Sequence, residues 1–249
     1  MSDFNRGLSR PAFAGAPDMS VDAGLRAFML GVYNKLGLGL ALSAALAWVT
    51  GTVPAVQSLL WAPDEAGRLH TTLLGMVVRF APLGLILFSA FARRQTPATA
   101  AFIYWSIVAL IGASMGVWFL AYDPMAIVQA FLVTACAFGG LSLVGYTTKR
   151  DLTGMGAFMV MGLIGLIIAM LVNMFLHSGA MAFAINLIGV AIFAGLTAWD
   201  TQKLKMTYYQ VGGDQAAMGM ATSYGALTLY LDFINLFQFL LALTGGSRR

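Results

Sequence analysis

Seven apolar stretches, near 28–50, 71–92, 97–121, 124–147, 153–176, 179–201 and 222–244, each approach or exceed the roughly 20 residues that cross a bilayer core. Hydrocarbon offers no water to backbone N–H and C=O groups, so stretches of this kind are read as helices that satisfy those groups internally. The expected fold class is therefore all-α: a polytopic membrane protein with seven transmembrane helices. Composition agrees, since 59% of the 249 residues are hydrophobic and 10% charged, against about 25% charged in a soluble domain. Residues 1–26 hold Pro11, Pro17, three aspartates and three arginines ahead of the first apolar stretch. They read as a flexible cytosolic tail, leaving 27–249 as the transmembrane domain.

Seven spans allow loop charges to be counted by side. One side carries Arg6, Arg10, Arg26, Arg93, Arg94, Lys149, Arg150, Lys203 and Lys205; the other carries Arg68, Arg248 and Arg249. Nine against three places the N-terminus in the cytosol and the C-terminus outside. The same distribution accounts for the net charge of +4. Basic residues scattered at segment ends form no phosphate-tracking patch, so nucleic acid is not an expected partner and membrane lipid is.

Two carboxylates lie where the pattern demands helix in lipid, Asp200 in the sixth stretch and Asp232 in the seventh. A charged side chain at mid-bilayer costs about 2.5–3.5 kcal/mol on insertion scales, so it needs a partner and usually has a function. Asp232 belongs to a polar stripe, because Tyr224, Thr228, Asp232, Asn235 and Gln238 recur at helical spacing. Such a stripe faces protein or a water-filled pore. Asp200 shares a face with Asn186, Phe193 and Thr197. Counting from Thr222, Asp232 lies about 15 Å into its helix.

The remaining chemistry-bearing residues read more blandly. Lys35, near the inner end of the first helix, is placed to snorkel. His177 reads as interfacial, Cys136 as a small core residue and the methionines as packing. Gly112-x-x-x-Gly116 lets helices approach closely. Two histidines and one cysteine supply no metal site. No P-loop, dinucleotide fingerprint, G-x-S-x-G or H-E-x-x-H is present, so no cofactor and no enzyme activity are expected. Paired aspartates also serve intramembrane proteases, but neither Asp200 nor Asp232 stands in the Y-D or G-x-G-D motif of that class.

The segments GYTTKRDLTGMGAF (145–158), FAGLTAWDTQKLK (193–205) and LYLDFINLFQFLL (229–241) resemble the signature segments of the Bax inhibitor-1 family. The opening RAFMLGVYNKLGLGLAL (26–42) and Ala81-Pro82-Leu83-Gly84 are similar to its bacterial branch. The resemblance implies a bacterial inner-membrane protein with helix 7 central in a ring of six. It also implies a proton-sensitive aspartate pair, here Asp200 and Asp232, gating a leak of cations, calcium foremost. In that family an arginine at the inner end of helix 2 latches the helix 6 aspartate, and the matching positions are Arg93 and Arg94. The connection 206–221 looks longer than the family's usual one. An alternative implied function is a non-transporting interaction protein that regulates a membrane-anchored ATP-dependent protease through the polar tail.

Depth suggests one contact more. Arg79 stands about 21 Å from the inner end of helix 2, about 6 Å beyond the level of Asp232 and within reach of an extended guanidinium. Two latches are expected on that basis, Arg93 or Arg94 for Asp200 and Arg79 for Asp232.

Overall fold

The computed structural model describes residues 23–63, 69–91 and 95–245. In chain order the elements are α1 (Ala23–Thr52), α2 (Pro54–Leu60), β1 (Trp61–Pro63), β2 (Leu69–Thr71), α3 (Leu73–Phe91), α4 (Pro97–Ser114), α5 (Val117–Ala121), α6 (Pro124–Thr147), α7 (Thr153–Leu176), α8 (Gly179–Val211) and α9 (Gln215–Thr244). Six spans are long and apolar enough to cross a membrane: α1, α4 with α5, α6, α7, α8 and α9. The stretch expected at 71–92 forms α3, whose apolar run Leu73–Ser89 is shorter.

The helices begin where local chemistry satisfies their first N–H groups. Thr96 caps α4 and Asp123 caps α6, each followed by a proline whose missing N–H costs nothing there. Ser178 accepts from Met181 N at 3.3 Å to start α8. Asp214 Oδ1 accepts from Ala216 N at 2.8 Å and Ala217 N at 3.3 Å to start α9. Gly212 and Gly213 take φ values of 61° and 87°, a left-handed turn that ends α8 without the Cβ clash other residues would meet.

The 206–221 region is accordingly not a long loop. Residues 206–211 continue α8, 215–221 open α9, and three residues join them. With 33 residues α8 is about 50 Å long and overruns a hydrocarbon core of about 30 Å.

α9 is the core helix. Of its most apolar window 61% is buried, against 11% for α7. Helices α1, α4, α6 and α8 pack directly on α9, while α3 rests on α4 and α7 on α8. Aromatic residues fill the seam between α6 and α9, with Phe138 and Phe233 at 5.4 Å and Phe131 and Phe237 at 6.2 Å between centroids. A second apolar cluster, including Leu166, Phe193, Leu236 and Phe239, joins α7, α8 and α9.

Glycines set the close approaches. A Cβ on Gly145 would lie 2.1 Å from Ala198 O, which brings α6 against α8. Gly112 of α4 likewise lies on Ser43 of α1, and Gly116, in the turn before α5, on Thr50 and Gly51, so the small-residue motif serves packing within the chain. Cys136, expected in the core, is exposed on α6.

Candidate functional site: a buried aspartate pair

The antiparallel hairpin of α8 and α9 determines which side chains meet. Leu204 lies over Gly225 and Phe239 over Gly189, and this register sets Asp200 against the turn of α9 that carries Asp232. The two carboxyl groups face each other across the α8–α9 seam, close enough to act on one another directly. Only 7% of Asp200 and 5% of Asp232 is exposed. Around them Thr197 and Thr201 turn their hydroxyls back to carbonyls of their own helix, at 2.7 Å and 2.8 Å, and so offer Asp200 no proton.

Lys203, one turn along α8, acts electrostatically on Asp200. Its Nζ stands 5.0 Å from the centroid of the Trp199 ring, at an exposed position. Asp232 Oδ2 is buried and receives no hydrogen bond from any amide, hydroxyl, ammonium or guanidinium among the described residues. A carboxylate oxygen left without a donor in an apolar setting is costly. The group that can supply a donor is the facing carboxyl, and only when one of the two acids is protonated.

The rest of the stripe on α9 divides among several surroundings. Tyr224 donates its hydroxyl to Gln95 Oε1, ahead of α4. Thr228 donates to Tyr224 O at 3.1 Å and Asn235 to Leu231 O at 2.8 Å, both within α9. Gln238 is exposed. Asn235 and Gln238 share with Arg79 and Ser114 a groove of about 310 Å³ whose lining does not include Asp232.

Arg79 is therefore not brought to Asp232. It is exposed on α3 and forms no ion pair among the described residues. The depth reading placed Arg79 beyond Asp232, and Asn235 and Gln238 do lie about 5–9 Å further along α9. Depth does not set direction, however, and the side chain enters the groove beside α9 instead of the interior. Arg93 and Arg94, the candidates for a latch on Asp200, lie outside the described residues, as do residues 1–22 of the tail.

Four contributors escaped the sequence reading. Lys35, expected to snorkel, turns inward and donates to Ser223 Oγ of α9 at 2.7 Å. Tyr104 of α4 holds the same turn of α1 by donating to Lys35 O at 2.7 Å. Gln202 accepts from Leu152 N at 2.8 Å and donates to Arg150 O at 2.7 Å, tying two of the signature segments together. Lys205 is buried although it looked like a loop charge. The available signal was a polar residue one or two turns from Asp200 on α8, too weak to assign a partner. Among the described residues no group of three or more His, Cys, Asp or Glu side chains gathers.

A family model described as inhibitor of apoptosis-promoting Bax1 matches residues 25–249. An uncharacterized protein of Caulobacter vibrioides is 60% identical over 249 residues, all of both chains. An uncharacterized protein of Rickettsia prowazekii, RP147, is 43% identical across the full length of both. The Escherichia coli inner membrane protein YbhL is 40% identical over 227 residues, covering 91% of this chain and 94% of its own.

Proposed function

The chain belongs to the Bax inhibitor-1 family, and from that premise we propose that it is a proton-sensitive cation leak pathway, with calcium the foremost ion, gated by Asp200 and Asp232. The observation that carries this reading is the orphaned Asp232 Oδ2 within a buried carboxyl pair. A single shared proton satisfies the pair and holds α8 to α9. Two nearby carboxylates resist double ionisation. Loss of the proton leaves like charges that part, admit a cation, or draw in a basic side chain.

The pathway is then closed with the proton bound and opens as pH rises. Lys35, which reaches α9 at Ser223, keeps the inner half of the central helix in place during that change. The end carrying Arg26, Lys149, Arg150 and Lys203 faces the cytosol of a bacterial inner membrane, by the bias of basic residues. On this reading α3 completes seven membrane-crossing helices.

Purified full-length protein in liposomes, followed by calcium entry across a pH series, tests the proposal. Flux should fall as pH falls, and Asp232→Asn should hold it low throughout, because the amide supplies a permanent donor to Asp200. A variant whose pH profile matches the wild type would remove the aspartates from the gate. The alternative, a regulator of a membrane-anchored protease that acts through the tail, separates cleanly: removal of residues 1–22 should leave flux intact.

A further inference from the structure

Apart from Asp200 and Asp232, Lys205 is the one charged side chain that is buried among the described residues, with 5% exposed. Its Nζ donates to Tyr146 O and stands 5.1 Å from the centroid of the Tyr146 ring. No carboxylate among the described residues pairs with it. A buried ammonium without a counter-charge is expensive. Lys205 opens on a cavity of about 580 Å³, formed where the α6–α7 connection crosses α8, that is also lined by Lys149, Arg150 and Lys203.

Asp151 is the one acid in that lining. Its carboxylate accepts from Thr153 N at 2.9 Å, which with the Thr153 hydroxyl holds its pKa below the ordinary carboxylate value. The cavity thus has four cationic side chains and a single anion. α7 begins at its edge, and Asp151 already occupies the first N–H of that helix, that of Thr153, so the anion of the lining is committed there. The lining is also braced: Gln202 holds Arg150 O and Leu152 N on either side of Asp151.

Orientation in the membrane accounts for basic residues at this end, but not for burying one of them against a cavity that holds four cations and one acid. We propose that the cavity is a binding site for a phosphate-bearing anion, whether a soluble phosphate or the headgroup of an anionic phospholipid. Lys205 forms its floor, and Lys149, Arg150 and Lys203 bind the phosphate oxygens from the rim, as charge-assisted donors do. The inference is independent of the cation pathway, since none of its predicted readouts is ion flux.

The experiment uses the full-length protein in vesicles and reads its thermal midpoint. One arm compares pure phosphatidylcholine with phosphatidylcholine containing phosphatidylglycerol. The other titrates inorganic phosphate into pure phosphatidylcholine vesicles at fixed ionic strength. An upward shift with inorganic phosphate identifies a soluble ligand, and a shift with phosphatidylglycerol alone identifies a headgroup; each supports the site. Lys149→Gln with Arg150→Gln, both exposed side chains, should leave the midpoint in phosphatidylcholine unchanged and weaken the apparent affinity about tenfold or more. Arg26→Gln, at the same end but outside this cavity, should keep the full shift. The proposal is overturned if the wild type shifts in neither arm, if the double variant shifts as the wild type does, or if Arg26→Gln loses as much as the double variant.

Discussion

At the scale of single residues, the two aspartates were legible because a charge in a hydrocarbon-length helix is costly wherever it points. Azimuth is what the sequence withholds. Lys35 and Arg79 were both assigned by depth, and the structure turns one inward to Ser223 and leaves the other in an outer groove. Asp200→Asn and Asp232→Asn should each flatten the pH dependence of flux, and the double variant should be little worse than either single one, because all three remove the same proton equilibrium. Effects that add independently in the liposome assay would mean that the two acids do not work together. Lys35→Met should lower stability by about 1–3 kcal/mol, the value of a hydrogen bond from a charged donor. Ser223→Ala should lose a similar amount through the same bond. A double-mutant cycle on thermal midpoints, read in the same vesicles, checks whether the two losses overlap, as they should.

Between elements, the decisive contacts are backbone approaches. Gly145 lets α6 meet α8 at Ala198, two residues before Asp200, and the space a methyl would occupy is already filled by Ala198 O. Gly145→Ala should cost about 1–3 kcal/mol of stability, as overpacking does, and should disturb the pH profile by displacing α8. Gly140→Ala on the same helix meets nothing within 4 Å and should be neutral or slightly stabilising by helix propensity. Equal midpoints for the two variants would contradict the packing of α6 on α8. Hydropathy located the spans but not their ends. The polar residues Gln202 to Gln210 resemble a loop by that criterion, yet no breaker interrupts them, and α8 runs on until Gly212 and Gly213 turn the chain. The stop signal was visible in Gly-Gly-Asp, and a longest-apolar-run reading passes over it. α3 shows the reverse difficulty: an apolar run is legible, but the bounds of its helix are set by capping and neighbours.

For the whole molecule, orientation has a direct measurement. Reporter tags at Arg10 and at the turn of Gly212 and Gly213 should score as cytosolic, and a tag after Arg249 as external. A cytosolic C-terminus would mean that an even number of segments cross. The layered arrangement carries a further consequence through α7, which leans on α8 along one edge and shows Phe158, Met161, Ile164, Ile168, Leu171 and Phe175 outward. Lipid asks of that face only that it be oily. Its letters are therefore interchangeable among Leu, Ile, Val, Met and Phe, and a saturation scan should find them nearly silent. The inner edge of the same helix is the opposite case: at Gly156 the Trp199 ring fills the place of a side chain, and there the alphabet shrinks to one letter.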